Sequence, residues 1–338
     1  MGRHPFGSQL RRPKPGYVTT AVGERTNTSF EIFIAQITDG TFCEIGVTRV
    51  DGQDYIVKMT RTKHSYEREV QVLLRLKRSK VKAGPDLFDY GFVDYRGGYY
   101  FVVTEMLWFD LDEIHRLGRF YTKQTQLRLA IGKIRALQRL HENGVVVSDI
   151  KNANFCFTRP DSEDPFKVYF VDFGQATFYE KEDMIDMEDY IYGQNLRYDR
   201  LSKLNRSRSY VVSPTVRVPY DDLEAFLYVT AGARTEMLGQ KMKCFEMEHY
   251  EETRDWFLHE YQGVYRIMCE TKRSEFPRYD DIVEELEKQL DKQVLREERV
   301  NHYSMFTREG YEPMVVGDRG VPTEIRWFLP NRPQRSVA

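Results

Sequence analysis

Val147-Ser148-Asp149-Ile150-Lys151-Asn152-Ala153-Asn154, followed by Val171-Asp172-Phe173-Gly174, is the stretch on which the reading of this chain turns. A short apolar run precedes the first segment, and another lies between the two. The first segment supplies an Asp, a Lys two residues later and an Asn five residues later. The second adds another Asp, followed by Phe-Gly. Such groups suit chemistry on anionic oxygens: a carboxylate for a hydroxyl proton, hard oxygen ligands for a divalent cation, and an ammonium for negative charge. The plainer reading is that each Asp only caps a turn, which Asp often does. A lone Asp-Phe-Gly arises by chance in roughly one of twenty chains this long. The ordered pair is far more specific.

The rest of the chain can house such a site. Its 338 residues are enough to bury a full core. Hydrophobic content of 41% beside 30% charged residues argues for a globular protein rather than a disordered one. A formal charge of −2 gives no global pull toward nucleic acid or membrane, so neither partner is expected. Cys43, Cys156, Cys244 and Cys269 lack paired spacing, which favours free thiols in a reducing compartment. A cytoplasmic location is the expectation, with the nucleus open as an alternative. No segment approaches the length of a membrane span, and no apolar signal core opens the chain. Met1-Gly2 lacks the Ser or Thr a myristoylation motif wants, because Phe6 stands there. The seven histidines show no metal-ligand spacing.

Periodicity divides the chain. Residues 1–22, with three prolines and Arg3, Arg11, Arg12 and Lys14, read as a basic flexible arm. Glu31–Ile37, Phe42–Val50 and Tyr55–Met59 read as a three-stranded meander, turned at Asp39-Gly40 and Asp51-Gly52. His64–Leu76 has a helical period through Val70, Leu73 and Leu74. Leu87–Val93 and Tyr99–Thr104 flank Arg96-Gly97-Gly98 as a hairpin. Thr122–Asn143 reads as a helix, with Leu127, Ala130, Ile131, Ile134 and Leu137 on one face and Gly144 to end it. Asp221–Ala231 and Tyr279–Arg299 are further helix candidates. Strands first and helices after give an α+β class, with the signature at the junction.

The ordered motifs resemble the catalytic core of a protein kinase. More narrowly, Glu69-Val70-Gln71-Val72-Leu73-Leu74-Arg75-Leu76, Asp149 to Phe155 and Asp221-Asp222-Leu223-Glu224 resemble the casein kinase 1 superfamily. The tau-tubulin kinase branch and its nematode relatives are the nearest match. The resemblance runs from about residue 30 to 295 and is dense only at these motifs. It implies a bilobal fold: a kinase domain over 23–300, with an N-lobe at about 23–104 and a C-lobe at about 108–300, then an extension over 301–338. It also implies ATP with Mg²⁺, transfer of the γ-phosphate to protein Ser or Thr, and a monomer. Phosphoryl transfer asks mainly for positioning and electrostatics. Asp149 would take or orient the hydroxyl proton, Lys151 would neutralise the transferring group, and Asn154 and Asp172 would hold Mg²⁺. Lys58 would meet the α/β-phosphates, paired with Glu69 rather than Glu67. Thr104 would be the gatekeeper, with the backbone of Glu105 and Leu107 at the adenine edge. Ile37, Gly40, Ile45, Ile56 and Cys156 would line the nucleotide. Phe173 and Asp222 would support the site, Asp222 by bonding the catalytic-loop backbone.

Departures from the pattern are equally specific. The phosphate loop, Ile37 to Ile45, keeps only Gly40 of three glycines, with Thr38 and Cys43 in the other places and Asp39 adding negative charge. Ile56 stands for a usual Ala and narrows the pocket. Val147 and Ser148 replace the His and Arg that usually precede the catalytic Asp. Valine can serve as an apolar spine residue. Losing the Arg removes the usual partner of an activation-loop phosphate, so no such phosphate should be needed. Between Gly174 and Asp221 an acidic half (Glu180 to Asp189) precedes a basic one (Arg197 to Arg217). That basic run reads either as a solvated loop or as a site for acidic or phosphorylated substrates. A pseudokinase scaffold is the competing reading, supported by the eroded glycines, Ile56 and Val147-Ser148. The enzyme is favoured because every polar group that would act on phosphate or metal is present.

Overall fold

The computed structural model describes residues 18–37, 43–95, 97–108, 110–112, 123–158, 167–180, 217–231 and 247–296. Strands lead and helices follow, in α+β order. β1 (Val18–Val22), β2 (Ser29–Ile37), β3 (Cys43–Val50), β4 (Gln53–Thr60), β5 (Leu87–Val93) and β6 (Tyr99–Glu105) build one antiparallel sheet. Its order is β1-β2-β3-β4-β6-β5. Asp51 and Gly52, with φ of 50° and 82°, supply the left-handed pair that a two-residue hairpin needs. From there β3 and β4 zip from Val50–Gln53 to Cys43–Thr60. The turn read at Asp39-Gly40 lies outside the described residues.

The arm read over residues 1–22 is corrected at its end, because Val18–Val22 pairs with Ser29–Phe33 as an edge strand. Non-local contacts hold it there. The turn after β1 is gripped by Asp89 of β5, which is wholly buried and accepts from Arg25 N at 2.9 Å, Thr26 N at 3.1 Å and Tyr90 N at 2.8 Å. A side chain at Gly23 would collide with that carboxylate. Glu24 N also donates to Tyr90 O at 2.8 Å, so the two ends of the sheet meet.

α1 (Lys63–Lys77) packs against β5 and β6 and buries Tyr66, Glu69, Val70, Val72, Leu73 and Leu76. α2 (Lys123–Glu142) stops before Gly144, whose φ of 69° suits the residue that ends a helix. β7 (Val145–Val146) pairs with β10 (Thr177–Phe178), and β8 (Phe155–Phe157) pairs with β9 (Val168–Phe170). These two small ladders carry the segments containing Asp149 and Asp172. α3 (Pro219–Thr230) starts two residues earlier than its expected start at Asp221. Proline suits the first helical position, and the Asp221 carboxylate accepts Val218 N at 3.0 Å. α4 (Tyr250–Thr253), α5 (Gln262–Glu270) and α6 (Tyr279–Arg296) complete the described chain. Among the described residues, no helix is long and apolar enough to cross a membrane.

Two large apolar clusters follow from this arrangement. One fills the curled sheet around Phe30, Val57, Phe101 and Val103. The larger joins α1 to the helices through Leu73, Leu87, Val147, Phe173, Phe226 and Leu286. Val147 and Phe173, which stand close to Asp149 and Asp172 in sequence, are therefore packed into this larger core.

Candidate active site

Strand pairing puts Ile45 opposite Lys58 and Ile56 opposite Thr104. With Ile56 and Lys58 two residues apart, these four side chains share one face of the sheet. Lys58 Nζ lies 2.5 Å from Glu69 Oε2 on α1 and 2.6 Å from Asp172 Oδ1. Glu69 is buried, whereas Glu67 lies on the exposed side of α1, 3.5 Å from Lys63. Burial pulls the Lys58 ammonium down, but Asp172 and Glu69 outweigh it and hold Lys58 above the ordinary lysine value. For Glu69, burial prevails over the Lys58 attraction and raises the carboxyl. For Asp172, burial acts upward but Lys58 prevails, leaving it below the usual carboxylate range. Cys43 is pushed up to about 12 by burial, against the pull of Lys58, so its thiol is protonated at neutral pH.

Short-range side-chain bonds tie the segment from Asp149 to Asn154 together. Lys151 Nζ lies 2.7 Å from Asp149 Oδ2. Asn154 sits in a single 3₁₀ turn, Asn152–Asn154, and its Nδ2 donates to Asp149 O at 2.9 Å and Oδ2 at 3.3 Å. That leaves Asn154 Oδ1 without a protein donor among the described residues, a hard oxygen of the kind Mg²⁺ takes. Asn154 O accepts Val171 N at 2.8 Å, which ties this turn to the strand end that presents Asp172. The Asp172 side chain is 41% exposed and shares only one oxygen, Oδ1, with Lys58. Asn154 and Asp172 thus fit a divalent cation that is completed by ligands from outside the protein. Among the described residues, no group of three or more His, Cys, Asp or Glu could hold a metal alone.

Ser148 and Asp172 adopt φ of 66° and 70°, left-handed values that non-glycine residues rarely take. Both stand at the junctions that aim the two loops, where such strain is typically kept. Asp222 secures the first loop: its oxygens accept Val147 N at 2.7 Å, Ser148 N at 2.8 Å and His141 Nε2 at 2.9 Å. Tyr279 of α6 donates to the other nitrogen of His141, and Tyr179 donates to the His141 carbonyl. Asp221 takes both Nε and Nη2 of Arg273, at 3.1 and 2.7 Å. Sequence reasoning missed His141, Tyr279, Arg273 and Lys133, all supports whose contacts are distant in sequence.

The remaining candidates line the end of β6. Thr104 is half-buried, and Glu105 N donates to Asp86 O at 2.9 Å while its carboxylate meets Lys82 at 2.6 Å. Leu107, Cys156 and Tyr169 form a small buried apolar cluster, with Val171 packed on it. Burial raises the Cys156 thiol well above its ordinary value. Cys43, Cys156 and Cys269 carry thiols rather than disulfides. Ile37 ends β2 opposite Glu44. Gly40, Thr38 and Asp39 lie outside the described residues, as does all of the basic run from Arg197 except Arg217, which is buried.

No family model matches the chain. It is 29% identical over 141 residues to casein kinase I homolog 1 of Schizosaccharomyces pombe, covering 39% of this chain and 30% of that protein. It is 33% identical over 96 residues to the human serine/threonine-protein kinase VRK2, covering 28% of this chain and 18% of the kinase. It is 28% identical over 142 residues to the rice casein kinase 1-like protein HD16, covering 42% of this chain and 18% of that protein. The matches span less than a third of each of these relatives. Partial as they are, they imply a kinase fold and support a casein kinase 1-like protein kinase.

Proposed function

We propose that the chain is a Mg²⁺- and ATP-dependent serine/threonine protein kinase. One observation carries the proposal: Lys58 bonds both Glu69, 11 residues on, and Asp172, 114 residues on, while Lys151 and Asn154 both hold Asp149. Lys58, kept charged by two carboxylates, is suited to phosphate oxygens. Asp149 orients the substrate hydroxyl and takes its proton, while Lys151 offsets charge on the phosphoryl oxygens. Asn154 and Asp172 would hold Mg²⁺, which when bound neutralises phosphate charge. The face shared by Ile45, Ile56 and Thr104, with Leu107 and Cys156, would receive adenine. Protein Ser or Thr is the acceptor class, with acidic or phosphorylated sequences favoured by the basic residues between 197 and 217. The tau-tubulin branch, two lobes, a monomeric state and a cytoplasmic location belong to the same proposal.

The test is transfer of labelled γ-phosphate to casein by purified protein with Mg²⁺. Transfer supports the kinase. A folded protein that neither transfers phosphate nor gains thermal stability from Mg²⁺·ATP overturns it in favour of a scaffold. Ile56 provides a check on the adenine pocket. It is 8% exposed and stands where a smaller residue would leave more room. Ile56→Ala is expected to tighten ATP binding by about 1 kcal/mol, roughly fivefold, by relieving crowding. Calorimetric titration checks this, and unchanged or weaker binding shows that Ile56 does not crowd the nucleotide.

A further inference from the structure

Lys133, midway along α2, is 3% exposed and points beneath the catalytic loop. Its ammonium donates to Asn152 Oδ1 at 2.6 Å and Thr230 Oγ1 at 3.2 Å, with the Phe155 ring centroid 5.7 Å away. Among the described residues its polar partners are thus two neutral groups. Carboxylates on the surrounding elements are engaged elsewhere. Asp149 meets Lys151, Asp222 meets His141 and two backbone amides, and Asp221 meets Arg273. Glu224 accepts the Tyr228 hydroxyl, and Asp280 meets Arg135.

A buried ammonium with no carboxylate partner is unfavourable. An apolar side chain between Ala130 and Ile134 would fill this helix position without that cost. A residue that weakens the fold while touching a functional loop is one whose retention packing does not explain. We propose that Lys133 is a positioning residue for the catalytic loop, anchoring through Asn152 the turn that presents Asn154 and fastening it, through Thr230, to α3. This rests on the reading of that loop as phosphotransfer machinery. The anchored turn bonds Asp149 through the Asn154 side chain and the Asp172 strand through the Asn154 carbonyl. One ammonium therefore braces the residues on both sides of the site.

The arrangement has a signature that a purely structural lysine lacks. Burial pulls the Lys133 ammonium down to about 7. In the unfolded chain it titrates near the usual lysine value, about 10.4. Between those two values the unfolded state binds more protons, so stability rises with pH from about 7 to about 10.4. Over the same interval the charge-assisted bonds to Asn152 and Thr230 weaken. Stability and catalytic-loop order then move in opposite directions as pH rises.

The experiment compares wild type, Lys133→Met, Asn152→Ala and the double variant. Hydrogen exchange of residues 150–157 is read in protein free of metal and nucleotide. Thermal midpoints and phosphotransfer kinetics are read from pH 6.5 to 9. Lys133→Met is expected to raise the midpoint at pH 6.5, with the gain shrinking toward pH 9. At pH 6.5 it should nonetheless speed exchange in the loop and lower kcat about tenfold, as loss of an outer support does, with the KM for ATP within about twofold. Asn152→Ala should reproduce the loop and kcat effects without the stability gain, and the double variant should add nothing further. Unchanged loop exchange in both single variants overturns the positioning role, as do effects of the two that simply add. If Lys133→Met fails to fold, Asn152→Ala decides alone. If the wild type transfers no phosphate, the kinase reading fails, while loop exchange still decides whether Lys133 positions the turn.

Discussion

Asp149→Asn is expected to leave a folded protein that binds Mg²⁺·ATP and transfers γ-phosphate to casein about 10³-fold more slowly than wild type, or not at all. The substitution is nearly isosteric. The backbone carbonyl of Asp149, which takes the better of the two Asn154 bonds at 2.9 Å, is untouched. Lys58, Glu69 and Asp172 form a separate charged group and should keep their geometry. What changes is that an amide cannot accept the hydroxyl proton and no longer pairs with Lys151, 2.7 Å away. A loss confined to kcat, with the ATP-dependent thermal shift retained, places Asp149 at the chemical step. A variant that keeps more than about a tenth of the activity removes Asp149 from that role, because a general base contributes about 10²-fold or more. The Asp172→Ala variant provides the contrast. Losing a carboxylate of the Lys58 pair and of the fitted cation site should abolish the Mg²⁺-dependent shift itself.

The parts of this architecture that depend on local chemistry are legible in the sequence. Asp51-Gly52 marks its hairpin because few other pairs accept two successive left-handed φ values. Glu69 could be told from Glu67 because helix periodicity puts Glu69 near the stripe of Val70 and Leu73. Asp149 and Asp172 stood out through order and spacing. What escaped the reading depends on partners far along the chain. β1 is a five-residue strand whose place comes from β2 and from the Asp89 grip on the following turn, 63 to 64 residues away in sequence. Lys133 has the sequence context of any polar helix residue. Only the fold brings it to Asn152, 19 residues on, and to Thr230, 97 residues on. His141 likewise gains its meaning from Asp222 and Tyr279, 81 and 138 positions away. The stretch between Gly174 and Asp221 is the least legible in sequence, since charge runs have no fixed register.

Asp222→Ala is expected to destabilise the fold by about 3–5 kcal/mol, the range for breaking a buried charged hydrogen-bond group. Asp222 is 1% exposed and accepts three bonds: two from the backbone of Val147 and Ser148 and one from His141 Nε2. Alanine leaves all three buried donors without that acceptor. An orphaned buried donor costs about 1–3 kcal/mol, so three of them near the low end of that cost account for the range quoted for a broken pair. Measured against a typical total stability of about 5–15 kcal/mol, the loss is large enough to approach unfolding at 37 °C. Urea titration checks it. Asp222→Asn separates the contributions, because its amide keeps one acceptor oxygen but turns an N–H₂ toward a donor, and it should fall between alanine and wild type. Ser148 raises the stakes, since its left-handed φ of 66° is held by the bond from its own N–H to Asp222. Once that bond is gone the strain is free to relax, and Asp149, the next residue, moves with it. Activity should therefore fall further than stability alone explains, even at temperatures where Asp222→Asn remains folded. A loss below about 1 kcal/mol for the alanine variant would show that water or a neighbouring group replaces the carboxylate, and that the catalytic loop is held by its own 3₁₀ turn.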